Sequence, residues 1–181
     1  IVFAIGSTIL SAVILGSMLA TIIARGFEAL RPSFIFQNSV YISPSTPLDY
    51  GGVGHAIVGT FLIVGIATII SVPLGIASAV YVTEIRGRAV PYVRFFVQAM
   101  SGVPSVVAGL FVLTVFILTG VMRQSALAGA IAYAILMLPT VARTAEEVLR
   151  LVPEDLRTGA LALGSTRSRV VFNVVLPAAR T

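Results

Sequence analysis

Long uncharged apolar runs dominate this chain. A membrane-spanning helix needs about 20 mostly apolar residues. Four runs without a charged residue reach or approach that length: Ile1–Ala24, Tyr50–Thr83, Phe95–Met122 and Gln124–Ala142. Four such runs in 181 residues leave too little polar chain to cover them in water. The pattern predicts an all-α membrane protein, a polytopic helical bundle with four spans.

The polar segments between the runs set the expected domain boundaries. We expect a first transmembrane helix at 1–24, an extracytoplasmic loop at 25–55 and a transmembrane domain at 56–181. The first run is longer than the apolar region of a signal peptide and has no basic start. Because the chain begins with Ile1 rather than Met, we expect it to be truncated at this end.

Composition narrows the chemistry further. All twelve basic residues are arginine, cysteine is absent and the one histidine is His55. A Walker A loop needs a lysine, and zinc sites or thiol nucleophiles need cysteine or histidine. We therefore predict no ATP site, no metal site and no catalytic residue, so the chain itself is not expected to be an enzyme. The net charge of +5 does not predict nucleic-acid binding, because the arginines lie between apolar runs rather than on a soluble basic face.

The arginines also predict the orientation in the membrane. Nine of the twelve lie in residues 84–94 or from Arg143 onward, and cytoplasmic loops are enriched in basic residues. We expect those two segments and the N-terminus to face the cytoplasm, and 25–55 to lie outside.

Prolines and small residues interrupt the runs. Pro73, Pro104 and Pro139 each remove a helical hydrogen bond, which predicts kinks and a bundle with a pathway. Ser101 and Ser105 flank Pro104 at four-residue spacing. Two interpretations stay open: close helix packing, or a polar path for a substrate.

A charged cluster follows the fourth run. On a helix, Arg143 would reach Glu146 and Glu147 at positions i+3 and i+4. The cluster is either a charged helix end at the membrane surface or a gate where an anion leaves the membrane.

The segment after this cluster predicts two short helices. Apolar residues recur at three- and four-residue steps, at Leu149, Val152, Leu156, Ala160 and Leu163. Pro153 suits the first helical position, and Gly164 suits a helix stop. A second helix is expected over 166–175, capped by Ser165 and interrupted by Pro177. On physical grounds the pair either lies on the membrane or docks into a partner protein.

The spacing within this segment resembles a known motif. Gly159-Ala160-Leu161-Ala162-Leu163-Gly164, nine residues and then Val174-Val175-Leu176-Pro177 is similar to the coupling motif of ABC importer permeases. That motif reads Glu-Ala-Ala, three residues, Gly, nine residues, Ile-x-Leu-Pro. Thr158 and Gly159 depart from its Glu-Ala opening. The resemblance implies the type I permease fold and a coupling loop at 149–177, with ATPase-contacting residues Pro153, Leu156, Ala160, Leu163, Gly164, Leu176 and Pro177.

Within this family the chain is most similar to the A-type permease subunits of bacterial phosphate importers. The carrying segments are 51–60, 71–76, 101–111 and 138–147. The resemblance implies a bacterial inner-membrane location and a role in transport for Arg143. With the residue patterns above, it gives a predicted translocation path through Ser101, Pro104, Ser105, Arg143, Glu146 and Glu147. It also implies four kinds of partner: a second permease subunit, two ATP-binding subunits that hold ATP and Mg²⁺, an external phosphate-binding protein and membrane lipid.

Alternatives remain at this point. A permease of the same family for molybdate, sulfate or an amino acid has the same coupling motif, whereas a secondary transporter would not need it. Family members continue into two more spans, so we expect the chain to be truncated after Thr181 as well.

Overall fold

The computed structural model of the chain describes residues 2–27, 30–39, 42–43, 45–47, 50–85 and 87–179. The described residues form helices and connecting segments, with no strand among them. The predicted fold class, a helical membrane bundle, is confirmed.

Among the described residues, three helices are long and apolar enough to cross a membrane. They are α1 (Val2–Gly26), α2 (Gly54–Glu84) and α5 (Ala126–Leu151). Ser125 caps the start of α5, because its hydroxyl accepts from the Ala128 amide at 3.4 Å. Helices α2 and α5 run through Pro73 and Pro139 as continuous elements.

The third apolar run is not one straight span. It contains α3 (Val90–Ser101) and α4 (Ser105–Val112), which a π-helical turn extends over Leu113–Ile117. The axes bend by 102° at the break between them. The prediction of four spans therefore becomes three continuous spans, or four if the bent pair counts as one. Pro104 causes the break, since it is extended (ψ 142°) and disfavours helical backbone at the residue before it.

The chain comprises two compact units, residues 1–60 and residues 61–181. In the first unit, a 3₁₀ turn at Pro32–Ile35 precedes a segment that folds back on the start of α2. The Ser39 hydroxyl donates to the Gly52 carbonyl at 2.6 Å and accepts from the Gly52 amide at 3.2 Å. The turn-rich loop expected at 25–55 thus has hydrogen-bonded order in its described part.

A line of small residues forms the centre of the second unit. The buried residues of α2 recur every four positions, at Ala67, Ser71, Gly75 and Ala79. Ala67 packs with Ala130 and Ala134 of α5 in one buried cluster. A Cβ atom on Gly75 would lie 2.9 Å from the Val141 Cβ, so the two helices approach closely there.

Short helices follow α5. They are α6 (Glu154–Ala162), α7 (Arg167–Val170), a π-helical turn at Val171–Val175 and α8 (Leu176–Ala178). Pro153 is the N-cap of α6 rather than its first residue, because its ψ of 139° is extended. Thr166, not Ser165, occupies the N-cap position of α7. Pro177 does not interrupt the helical segment, since it lies in the first turn of α8, where its missing amide is not needed.

Gly164 ends α6 as its position predicts. Its φ is +84°, the left-handed conformation that glycine adopts without steric cost. The Ser165 amide bonds to the Ala160 carbonyl and the Gly164 amide to the Leu161 carbonyl, at 3.2 and 2.9 Å. These two bonds form a Schellman-type stop that turns the chain sharply toward α7.

Candidate functional site

A cavity of about 360 Å³ lies among α2, α3 and α5. Three of its lining residues are arginines, and two are glutamates. The polar lining is Ser78 from α2, Arg94 and Gln98 from α3, and Arg143, Glu146, Glu147 and Arg150 from α5. The cavity therefore offers guanidinium, hydroxyl and amide donors and carries a formal charge of +1, which suits an anion.

Glu146 does not pair with Arg143, which corrects the prediction from helical spacing. Its Oε1 accepts instead from Arg94 Nη2 at 3.0 Å and from Arg150. The pair with Arg150 has the glutamate four residues before the arginine, the orientation that helices favour over the reverse. Among the described residues, Arg143 has no ion pair and its side chain is exposed to the cavity.

The predicted path residues of α3 and α4 lie elsewhere. Ser101, Pro104 and Ser105 are exposed at the break between the two helices and do not line this cavity. The Ser101 hydroxyl donates to the Val97 carbonyl at 2.9 Å. The structure therefore brings together Arg143, Glu146 and Glu147 as one group, and leaves the two serines and the proline as a second.

The coupling loop is anchored by an apolar cluster. Its buried members are Ala79 of α2 with Leu149, Val152, Val170 and Val175, and Ala160 and Leu176 pack against them. The other predicted coupling residues are exposed: Pro153, Leu156, Leu163, Gly164 and Pro177. Leu163 is 89% exposed. Of the predicted apolar stripe, Leu149 and Val152 are thus buried and Ala160 packs against them. Leu156 and Leu163 remain exposed and form the exposed apolar end of the coupling loop.

Arg157 is the most extensively bonded side chain of this loop. Its Nε and Nη2 donate to Glu84 Oε1 at 3.2 and 3.1 Å. Its Nη1 donates to the Val152 carbonyl at 2.7 Å and to Glu154 Oε2 at 3.2 Å. Its Nη2 also donates to the Leu149 carbonyl at 2.8 Å. These contacts line a second cavity, of about 490 Å³, between the end of α2 and the coupling loop.

Sequence reasoning missed Ser78, Glu84, Arg94, Gln98 and Arg157 as site residues. One of them carried a usable signal. Glu84 is one of seven acidic residues and directly follows a 34-residue uncharged run. A charge at the end of a span is a candidate for function. Arg157 and Glu84 are 73 positions apart, so no local spacing indicated their pairing.

Residues 71–181 match a protein family described as the inner membrane component of binding-protein-dependent transport systems. The match covers more than half of the chain, and the chain belongs to this family. Its family and its apolar helices define it as a multi-pass inner-membrane permease component.

Individual relatives show which permeases of this family the chain resembles. The chain is 42% identical over 164 residues to the "Phosphate transport system permease protein PstA 1" of Mycobacterium tuberculosis (strain ATCC 25618 / H37Rv), covering 90% of this chain and 53% of that protein. It is 34% identical to the PstA protein of Haemophilus influenzae, covering 91% of this chain and 57% of the relative. A "Probable ABC transporter permease protein YqgI" of Bacillus subtilis is 31% identical, covering 98% and 59%. The chain thus spans a little over half the length of these relatives.

A solved structure supports the fold. An inward-facing conformation of the MetNI methionine ABC transporter aligns with a TM-score of 0.57 at 23% identity. The alignment covers 71% of this chain and 61% of the transporter chain. This likeness confirms the predicted type I permease fold.

Proposed function

We propose that this chain is the permease subunit of an ATP-driven importer of inorganic phosphate. Two observations support the proposal: the similarity to phosphate-system permeases and the chemistry of the cavity among α2, α3 and α5. The one that carries it in physical terms is the unpaired Arg143 beside the Arg94–Glu146–Arg150 group.

The cavity suits a small oxyanion. Phosphate near neutral pH is a mixture of monoanion and dianion, and burying either within a membrane protein requires charge-assisted hydrogen bonds. The Arg143 guanidinium has all of its donors available in the described structure. Arg94 and Arg150 share one carboxylate, so their charges are only partly compensated there. In this proposal, Arg143 binds the anion directly, and the Arg94 and Arg150 pair raises the local positive potential.

The break between α3 and α4 supplies the second part of the proposed path. Irregular backbone at membrane depth is tolerated where it lines a cavity or is covered by protein. Ser101, Pro104 and Ser105 are exposed at this break, and the two serines offer hydroxyl donors. We assign these residues to the path between the outer face and the Arg143 cavity.

Energy comes from partner subunits in this proposal. Two ATP-binding subunits hold ATP and Mg²⁺ and contact the exposed apolar end of the coupling loop, at Leu156, Leu163 and Gly164. A second permease subunit completes the path, and an external binding protein delivers phosphate. The N-terminus and the coupling loop face the cytoplasm, as the arginine distribution favours.

The experiment compares Arg143→Gln with the wild type in vesicles that contain the full transporter. We expect uptake of labelled phosphate to fall at least about tenfold, since a hydrogen bond to a charged group contributes roughly 1.5–3 kcal/mol. The matched control is Arg123→Gln, an exposed arginine outside the cavity, which should leave uptake unchanged.

Two outcomes would contradict the proposal. Uptake by Arg143→Gln equal to wild type at limiting and saturating phosphate would remove Arg143 from the path. Uptake that unlabelled sulfate or molybdate suppresses better than unlabelled phosphate would assign the same cavity to another oxyanion.

A further inference from the structure

One guanidinium contacts the ends of two spanning helices and the first helix of the coupling loop. Arg157 belongs to α6, Glu84 is the last residue of α2, and the carbonyls of Leu149 and Val152 lie at the end of α5. All three elements meet at the Arg157 side chain through hydrogen bonds of 2.7–3.2 Å. The contacts therefore connect α2 to α5 and α6, which lie far from it in sequence.

The arrangement requires arginine specifically. Carbonyls in the last turn of a helix carry the negative end of the helix dipole and keep acceptor capacity to spare; that of Leu149 accepts one long backbone bond, from the Val152 amide at 3.4 Å. Arg157 supplies five hydrogen bonds to four acceptors, two of which are such carbonyls and two of which are carboxylates. Lysine has three donors around one atom and cannot reproduce this planar arrangement.

Arg157 and Glu84 also form the least exposed ion pair among the described residues. The side chains of Arg157 and Glu84 are 14% and 12% exposed, whereas those of Arg94 and Glu146 are 50% and 20% exposed. Exposed pairs contribute little, but removing one partner of a buried pair leaves an uncompensated charge. Arg157 and Glu84 thus resist separation when the coupling loop moves.

We propose that Arg157 is the positioning residue that carries displacement of α6 to the cytoplasmic ends of α2 and α5. This inference rests on the proposed function, in which an ATPase pushes on the coupling loop. Only Val152 and Pro153 separate α5 from α6, and the apolar packing of Val152 and Ala160 holds the two helices together without directional contacts. Arg157 adds directional hydrogen bonds and extends them to α2, which lies far from α6 in sequence.

The surrounding packing makes the proposal testable by substitution. The apolar cluster of Ala79, Leu149, Val152, Val170 and Val175 does not include Arg157. Arg157→Gln keeps part of the side-chain volume and some hydrogen-bonding capacity while it removes the charge. We therefore expect this variant to insert and to co-purify with its partner subunits.

The first measurement is the number of phosphate ions taken up per ATP hydrolysed, with the full transporter reconstituted in proteoliposomes. For Arg157→Gln we expect this ratio to fall about tenfold or more, within the range of ordinary coupling between sites, while ATP hydrolysis continues. Arg157→Lys should recover only a fraction of the ratio. The matched control Arg169→Gln, an exposed arginine of α7 outside both cavities, should keep the wild-type ratio.

A double substitution separates the ion pair from general damage. Glu84→Gln alone should also lower the ratio. The combination of Glu84→Gln with Arg157→Gln should lower it no further than Arg157→Gln alone, because residues that act as a pair are non-additive. Additive losses would mean that the two side chains act independently, which contradicts the proposal.

The second measurement does not depend on phosphate. In a transporter whose other cysteines are replaced, spin labels can be placed at Ile85→Cys beside α2 and Asp155→Cys on α6, both exposed. With Arg157 present, we expect the two labels to keep one narrow distance distribution with and without ATP. With Arg157→Gln, ATP binding should broaden or shift it.

The outcomes distinguish this inference from the proposed function. A wild-type complex that hydrolyses ATP but takes up no phosphate overturns the phosphate assignment, and the label distances still test Arg157. A wild-type transport ratio in Arg157→Gln, or label distances that match those with Arg157 present, overturns the role of Arg157. If Arg157→Gln fails to assemble, Glu84→Gln with the same labels gives the answer.

Discussion

At the scale of single residues, the neighbours of each arginine decide what it can do. Arg150 and Arg94 share the Glu146 carboxylate, Arg157 is largely buried against Glu84, and Arg143 has no ion pair in the described structure. These three pairing situations differ because different carboxylate and carbonyl acceptors lie within hydrogen-bonding distance of each arginine. A free guanidinium beside two arginines that share one carboxylate is the arrangement that leaves hydrogen-bonding capacity for an incoming anion.

Gly75 sets the distance between α2 and α5, and its substitution should destabilise the protein. A Cβ atom at this position would lie 2.7 and 2.9 Å from Val141 atoms and 3.1 Å from the Ala142 amide nitrogen. We expect Gly75→Val to lower stability by about 1–3 kcal/mol, the usual effect of overpacking. Heating the detergent-solubilised protein and measuring the fraction that stays monodisperse would show a lower transition temperature.

The control for this effect lies in the same helix. A Cβ atom on Gly65 would meet nothing within 4 Å, so Gly65→Val should leave the transition temperature near that of the wild type. Equal losses for Gly65→Val and Gly75→Val would mean that β-branching within α2, rather than close helix approach, causes the change.

At the scale of elements, the sequence predicts what depends on local pattern. The apolar runs predicted the spans that became α1, α2 and α5, and Gly164 predicted the end of α6. The 102° bend between α3 and α4 was not predicted, because Pro104 indicates a break but not its angle. Long-range pairings were also missed. The Arg94–Glu146 and Arg157–Glu84 contacts join residues 52 and 73 positions apart, and helical spacing instead favoured Arg143 as the partner of Glu146.

The turn at Gly164 sets the position of the exposed Leu163 at the end of α6. We therefore expect a substitution of Gly164 to impair coupling. No atom lies within 4 Å of a Cβ built there, so the cost comes from the φ of +84° alone. That conformation costs a non-glycine residue about 1–2 kcal/mol. We expect Gly164→Val to lower phosphate uptake per ATP strongly, and Gly164→Asn to do so less, because asparagine tolerates left-handed backbone better.

Gly159→Ala provides the matched control in the same helix. Gly159 also has open space at its Cβ, but it lies inside α6 and its φ is not positive. We expect this variant to keep the wild-type ratio of uptake to hydrolysis, since alanine favours helix. A normal ratio in Gly164→Val would remove the turn from the coupling mechanism.

At the scale of the whole molecule, the distribution of arginines predicts how the chain is oriented across the membrane. The cavity arginines, the Arg157 contacts and the coupling loop all belong to the segments that arginine counts place on the cytoplasmic side. The proposed mechanism requires this orientation, because ATP is available only there. If the coupling loop faced outward, neither the Arg143 exit nor the Arg157 restraint would work as proposed.

Cysteine labelling tests the orientation directly in a subunit whose only cysteine is the introduced one. Ser43→Cys lies in the loop expected outside, and Ser168→Cys lies in the coupling loop; both side chains are exposed. In intact spheroplasts, a membrane-impermeant maleimide should label Ser43→Cys but leave Ser168→Cys unlabelled until the membrane is opened. Inside-out vesicles should give the opposite pattern. Labelling of Ser168→Cys from outside, in cells that exclude the reagent from a known cytoplasmic protein, would invert the orientation and with it the direction of the proposed coupling.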